Sequence, residues 1–548
     1  MADLQQQIAA LCPQAEFDST GEFLLVTVPD AQWHALARAL KEQLGFDYLT
    51  ALVGVDWKET LGVVYYITNS DTQEMIHVKV TTDNREQPML HSVSDIWAVA
   101  NYQEREVYDF YGIIFINHPD MRRFFLRNDW VGYPLRKDYD ASEKLNPLRL
   151  EDEQNEDDTC SWVEDEKGNV TRVAGKVFDD DEYVINVGPQ HPSTHGVMRY
   201  RASLDGEIVK KVDVVSGYIH RGIEKMCESL TYPQTLLYTE RMDYMAAHIN
   251  RHALCLCIEK AMGLEVPRRA ELIRLIMDEL MRLSSHLLSY GCLTMDQGAT
   301  TAFFYGFRDR ELIYDIFDRT CGARMSMSYA TIGGVVADVH PDFIKDVRHA
   351  CDVIEKNLKE YHKLFTGNVI AVNRMKGVGV LDRADALNYA ITGPSGRASG
   401  VHCDVRKTHP YSLYNEFDFD EVIRTEGDSM ARYKVRMDEM VQSIKILRQA
   451  CDKFEAEEGN EYIAKVPKMI KLPAGHWYQQ VEASRGAFGV YLESDGDPKP
   501  FQKPYRLHFQ TPCFNLVGIV DLTCKDNMIA DLITITASID YVIPDIDR

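Results

Sequence analysis

Residues 151–182 carry thirteen acidic and three basic side chains, a net charge of −10, with little apolar periodicity. A segment of that composition cannot bury enough surface to fold by itself. It predicts a solvated joint, taken here as residues 146–182, between a small unit at 1–145 and a larger one at 183–548. Each is long enough to bury a core. A recognition tail for a basic partner is the lesser reading of the same stretch.

The two units differ in periodicity. In the first, FLLVTV (23–28), YLTALVGVDW, GVVYYIT and MIHVKV predict strands, the last two at hairpin spacing. Residues 31–44 predict a helix, with Trp33, Leu36, Leu40 and Leu44 on one face. This is a small α+β domain. In the second unit YVINV and RYRASL predict strands, and long helices then dominate. Pro267 precedes a helix at 268–290 whose apolar face holds Leu272, Ile276, Leu280, Leu283 and Leu287. Residues 343–365 and 433–454 carry similar stripes. Strand-like sequence returns near the end in YRLHFQ and LITITASI. The fold class predicted is α+β, a small α+β domain followed by a larger, mainly helical one with peripheral strands.

The formal net charge of −24 argues against a nucleic-acid binder, which needs clustered Lys and Arg. No apolar run approaches the ~18–20 residues that cross a bilayer, and MADLQQQIAALCPQ has no secretory pattern. A cytosolic chain, or one lying peripherally on a cytosolic membrane face, is predicted. The twelve cysteines have no framework spacing and read as free thiols of a reducing compartment. No two stand three apart, so there is no C-x-x-C.

The densest cluster of special residues is NVGPQHPSTHGVMR. Its glycines and prolines force a turn directly after a strand. The turn presents His191 and His195, four apart, but Pro192 and Gly196 argue against the helix that a metal pair would need. A structural turn and a functional loop with a working histidine both remain open. In SGYIHRGIEKM, the residues His220, Arg221, Glu224 and Lys225 gather at a helix start, which alone reads as a solvated end. In YTERMDYMAAHINRH, the residues Arg241, Asp243 and Tyr244 interrupt an apolar stretch. Taken singly, Tyr244 reads as a packed core tyrosine and Asp296 as a helix cap.

Together these residues carry a resemblance. GPQHPSTHG, HRGIEK, the E-R-M-D-Y run, SHLLSYGCLTMDQGATTAFFYGFRDRE, IGGV, SGRASGVHCDVRK and the terminal PDIDR are similar to the 49-kDa (D-type) subunit of respiratory complex I, the proton-pumping NADH:quinone oxidoreductase. EASRGAFGVYLESDG fits the same subunit with Ala483 and Ser484 exchanged in order. EREVYDFYGIIFINHPDMRRFF and YPLRKDY resemble its 30-kDa (C-type) subunit, whose signature is E-R-E-x-x-D-[FLM]-[FY]-G. The chain thus resembles a fused C/D subunit, with the acidic stretch as the joint.

The D-type family is also related to the large subunit of [NiFe] hydrogenases, which supplies a second reading as a membrane-bound hydrogenase-type subunit. By resemblance the four thiolates of a nickel–iron centre would fall near Asp243, Ala246, Val542 and Asp545. None is Cys, and Val or Ala cannot replace a soft thiolate ligand. No metal is expected. A third reading, a scaffold joining other subunits to a membrane arm, fits the first domain, where Glu104, Arg105 and Asp109 read as interface or fold-stabilising charges.

What the complex I resemblance implies is a quinone-head pocket. His195 matches the family's quinone-contacting histidine, Tyr244 its quinone-contacting tyrosine, and Asp296 the carboxylate that partners the histidine. Arg221 matches an arginine beside the terminal Fe–S cluster, which belongs to a B-type partner subunit. His191 and His286 are treated as loop or outer-layer residues. The chemistry suits these types. Reduction by two electrons places negative charge on two quinone oxygens, and each needs a donor and then a proton. A phenol with pKa ~10 stays protonated until needed, and an imidazole near ~6.5 can donate and be recharged. By resemblance this chain binds no cofactor alone; quinone is its substrate, and FMN and Fe–S clusters sit on partners. The implied partners are B-type and I-type Fe–S subunits, other peripheral-arm subunits and the H-type membrane-arm subunit, on the cytoplasmic side of a bacterial inner membrane.

Overall fold

The computed structural model describes residues 2–19, 21–128, 130–140, 158–499 and 501–548. The fold is α+β. The first unit is built on a five-stranded sheet in the spatial order Glu16–Asp18, Leu24–Thr27, Met75–Thr82, Leu61–Thr68, Tyr48–Asp56. Leu24–Thr27 runs parallel to Met75–Thr82, and the remaining pairs are antiparallel.

GVVYYIT shows no polar alternation because both faces of its strand are covered. Val63, Tyr65 and Ile67 face a core with Trp33, Leu36, Leu40 and Val107, from the helices Asp30–Leu44 and Ala100–Tyr111. Val64 and Tyr66 face the other way, onto Tyr478 and Tyr491 of the second unit. The first core also takes in Met198, Tyr200, Phe514, Ile519 and Ile543 from beyond the acidic stretch. The two units therefore share buried apolar surface, the main non-directional contribution to their cohesion.

The E-R-E-x-x-D signature shapes the first unit. Glu104 accepts from Ser92 Oγ at 2.6 Å and from the Val93 N–H at 2.9 Å. Asp109 accepts the N–H groups of Phe124, Phe125 and Leu126 and pairs with Arg123 at 2.8 Å. Arg105 donates to the carbonyls of Arg122 and Arg123. These charges replace the backbone partners that an irregular segment would otherwise lack.

The second unit opens with the antiparallel sheet Tyr183–Val187, Arg199–Asp205, Ile208–Val215. Its centre is a bundle that includes Ala247–Met262, Arg268–Asp296, Thr300–Cys321, Phe343–Tyr361 and Ser429–Ala456. The helix predicted at 268–290 runs on to Asp296 and ends just before Gly298, at φ +81°. Those extra turns put Asp296 at its tip. A last sheet, Ala474–Ala483, Gly486–Asp495 and Arg506–Gln510, lies between the bundle and the first unit.

Two expectations are corrected. LITITASI, which predicts a strand, lies in the helix Ile529–Ile539. Its apolar residues satisfy a helical spacing as well, since Leu532, Ile535 and Ile539 are all buried. Thr536 and Ser538 return their hydroxyls to the carbonyls of Leu532 and Ile535, so tertiary burial overrides β-propensity. The acidic stretch is not wholly a solvated joint. Residues 141–157 lie outside the described residues, but Asp158–Glu164 and Val170–Lys176 form an antiparallel hairpin. It folds by borrowing the first unit as its support. The N–H groups of Asn117 and Met121 donate to the carbonyls of Trp162 and Cys160. His91 bridges Asp30 at 2.7 Å and Glu164 at 3.1 Å. The Asp30 hydrogen bond, opposed by burial, is the largest influence raising its imidazole to about 9.

Candidate functional site

The GPQHPSTHG turn is a small hairpin. Gln190 and His191 pair with Val197 and Gly196 around a single 3₁₀ turn at Pro192–Thr194. Thr194 Oγ donates within the turn toward the carbonyls of His191 and Gly196. His195 sits at its end with φ +52°, a left-handed conformation that is uncommon outside glycine. The turn rests on the C-terminal segment: a Cβ on Gly196 would lie 2.5 Å from Ile543 Cγ1. Only a glycine lets the backbone come that close.

The long helix delivers Asp296 to this turn. His195 Nε2 lies 2.9 Å from Asp296 Oδ2, with the imidazole 28% and the carboxylate 9% exposed. Burial works to lower the His195 pKa, but the hydrogen bond and charge of Asp296, with Asp540 behind, outweigh it and raise it. The pair therefore gives an imidazole that holds its proton more tightly than a free one and still reaches solvent.

Tyr244 lies in the irregular turn between the helices Tyr232–Thr239 and Ala247–Met262, half-buried against the first core. Burial is the main cause raising its phenol pKa, opposed by Arg485 and reinforced by Asp243 and Cys292. Cys292 lies one helical turn before Asp296 and is within electrostatic reach of Asp296 and Asp540 as well. Through it Tyr244 and the His195–Asp296 pair share one neighbourhood.

Arg485 organises that neighbourhood. It occupies the two-residue turn between the strands Ala474–Ala483 and Gly486–Asp495. Gly393, at φ +64°, presses against that turn, where a Cβ would lie 2.3 Å from the Arg485 carbonyl oxygen. The guanidinium is 1% exposed. It donates to Asp243 Oδ2 at 2.9 Å, to Ser285 Oγ at 3.2 Å and, through Nε, to the Asp540 carbonyl at 2.7 Å. One cation thus ties the Tyr244 turn, the long helix and the C-terminal segment. The E-A-S-R-G motif flagged this arginine, but only tertiary structure brings its partners together.

The C-terminal segment is held from a second side. Asp547 accepts the N–H groups of Gly217 and Ile219 at 2.9 and 3.0 Å, and His220 Nδ1 donates to its carbonyl at 2.5 Å. The His220 ring stacks on Phe110 and Phe125 of the first unit. Arg548 pairs with Glu106 of the first unit and with Glu224 at 3.3 Å. Glu224 also binds Arg506 at 2.7 Å and His508 at 3.0 Å. Glu106, Glu224 and His508 come close enough to suggest a cation site, but the two guanidinium groups already supply the positive charge.

Not every candidate joins the centre. Arg221 is exposed on the loop anchored by His220. His191 is exposed, and its Nδ1 accepts from the Ser193 N–H at 3.2 Å, so it shapes the turn. His286 is buried against Glu439 at 2.9 Å in the bundle. An open cleft of about 520 Å³ beside Lys260 and Tyr411 contains none of these residues.

The family described as "Respiratory-chain NADH dehydrogenase, 49 Kd subunit" matches residues 296–548, and "Respiratory-chain NADH dehydrogenase, 30 Kd subunit" matches 26–145. The C/D subunit of the NADH-quinone oxidoreductase of Phocaeicola vulgatus is 56% identical over 524 residues, 95% of this chain and 99% of that protein. The C/D subunit of the Bacteroides fragilis enzyme is 53% identical over 532 residues, again 95% and 99%. The D subunit of the NADH-quinone oxidoreductase of Bacillus cytotoxicus is 43% identical over 367 residues, 67% of this chain and 99% of that protein.

Proposed function

We propose, from the premise that this chain belongs to the C/D-subunit family of NADH-quinone oxidoreductases, that its second unit forms much of the quinone-head pocket of the assembled enzyme. The observation that carries the reading is the His195–Asp296 contact at 2.9 Å, with Tyr244 joined to it through Cys292 and Arg485. In this reading residues 1–145 and 183–548 are the C-type and D-type parts, and 146–182 joins them.

His195 and Tyr244 face the two quinone oxygens. Tyr244, its phenol pKa raised, stays protonated until the oxygen opposite it gains charge. His195, charged more readily than a free imidazole because of Asp296, donates at the other oxygen and recovers its proton from solvent. Asp296 orients the ring, as carboxylates do behind other working histidines. Electrons from NADH pass through FMN and Fe–S clusters on other subunits. The exposed Arg221 faces a B-type Fe–S subunit that completes the pocket. I-type and H-type subunits are further partners, and quinone reduction is coupled to proton translocation. Among the described residues no helix is long and apolar enough to cross a membrane; in this reading the chain lies peripherally, on the cytoplasmic side of the inner membrane, through its partner subunits.

Tyr244→Phe in the assembled complex tests the reading. Removing a positioned donor lowers the rate by about 10²–10⁴ where it acts directly. NADH oxidation by an artificial acceptor should be spared and quinone reduction lost. Full quinone reductase activity in Tyr244→Phe sinks the assignment.

A further inference from the structure

The Arg485 cluster contains a carboxyl group that the pocket reading leaves unused. Asp545 is fully buried in the short helix Ile543–Asp547. Its carbonyl accepts from Thr511 Oγ at 2.8 Å, which fixes its backbone. Among the described residues, neither carboxyl oxygen meets an N–H or O–H donor. The side chain meets the Cys513 thiol and lies within electrostatic reach of Asp243, Arg485 and, just past the end of its own helix, Arg548. Both arginines already have carboxylate partners, Asp243 and Glu106.

An ionised carboxylate with no N–H or O–H donor, beside a second carboxylate, is costly in such a place. The neutral acid is not. Asp545 therefore holds a proton near neutrality. Burial and the Asp243 charge push its carboxyl up to about 7, in agreement with that argument.

We propose that Asp545 is a proton store for the Tyr244 end of the pocket, emptied through Asp243. The proposal rests on the quinone reading of the site. Asp243 directly precedes Tyr244, and its carboxylate accepts the Met245 N–H at 2.9 Å, so one turn carries both groups. The quinone oxygen, charged by the electrons of the NADH-quinone reaction, takes the Tyr244 proton. The phenol O–H breaks and a quinol O–H forms. The Asp545 O–H breaks as its proton passes to the ionised Asp243, and Asp243 gives that proton to the tyrosinate, re-forming the phenol O–H. One carboxylate charge is left on Asp545, facing Arg485 and Arg548, and solvent returns the proton before the next turnover.

The test compares Asp545→Asn, Asp545→Glu and Tyr244→Phe in the assembled complex with NADH and a short-chain quinone. Turnover is measured across pH and in heavy water, alongside the redox-difference infrared band of a buried carboxylic acid. Asp545→Asn should keep the KM for quinone, lower kcat at least about tenfold, enlarge the solvent isotope effect and lose the carboxylic band. Asp545→Glu should restore most of the rate and move the band. If Tyr244→Phe is inactive while Asp545→Asn keeps the wild-type kcat and pH profile, or keeps the band, the store is wrong and the pocket reading stands. If Tyr244→Phe retains full rate, the pocket reading falls and the store with it. Should Asp545→Asn fail to assemble, Asp545→Glu decides: a moved band supports the store, and an unmoved one overturns it.

Discussion

Asp296→Asn isolates the carboxylate from the imidazole it holds. The change keeps the side chain's size and one accepting oxygen but removes its charge. A hydrogen bond to a charged group contributes about 1.5–3 kcal/mol. At about 1.4 kcal/mol per factor of ten, that is roughly tenfold to a hundredfold in the protonation equilibrium of His195. The sign follows from the site. Burial pulls the imidazole pKa down and Asp296 raises it past the ordinary value. In Asp296→Asn burial is left largely unopposed, so the pKa falls below that value. The assay is the pH dependence of kcat/KM for quinone in the assembled complex. The alkaline limb should move toward acid by about one to two on the pH scale, and the rate at neutral pH should drop accordingly. Stability follows the same linkage. A raised histidine pKa contributes stability fully present below about 6.5 and lost as pH rises through the folded value, so the variant should be least stable relative to wild type in mild acid. An alkaline limb that overlays the wild-type one refutes the role given to Asp296.

Two further predictions concern the junction of the units. Glu106→Ala removes the first-unit partner of the buried Arg548 but leaves Glu224 at 3.3 Å, so it should cost less than the about 3–5 kcal/mol of a fully stranded charge and still appear as a lower Tm of the full chain. Gly217→Ala, at φ +91° with the new Cβ 2.1 Å from the Phe125 carbonyl oxygen, should cost at least about 1–2 kcal/mol from the left-handed backbone alone. Limited proteolysis should show the loop around 217–221 cut faster, and an unchanged cleavage pattern would count against that contact.

The parts of this architecture that were legible in the sequence are those governed by local rules. The stripe on residues 268–290 and four of the five strands of the first sheet depend on periodicity and are found where the pattern puts them, while the short edge strand Glu16–Asp18 carries no such pattern. LITITASI misleads because its alternation also satisfies a helical face, and its neighbours decide between the two. The hairpin at Asp158–Lys176 is hidden because its support comes from residues far back in the chain. At the site, motif order named His195, Tyr244 and Asp296, while spacing alone left them as a turn histidine, a core tyrosine and a cap. Arg485 and Asp545 were harder still. A buried arginine and an unpartnered acid acquire meaning only from groups hundreds of residues away, such as Asp243.

The C-terminal segment is where the two units become one machine. Gly196 of the histidine turn rests on Ile543, Arg485 clasps Asp540, Asp547 gathers the loop that carries Arg221, and Arg548 reaches back to Glu106. The first unit thus helps to hold the C-terminal segment on which the histidine turn rests. Two separate chains would have to assemble this buried contact at their working concentrations, whereas a fused chain makes it intramolecular, at an effective concentration set by the joint. The same segment also holds Asp540 and Asp545 beside Arg485. Here the Arg485 guanidinium pairs with the carboxylates of Asp243 and Asp540 and lies within electrostatic reach of Asp545. A fixed cation of this kind balances buried carboxylates that would otherwise be costly to keep ionised.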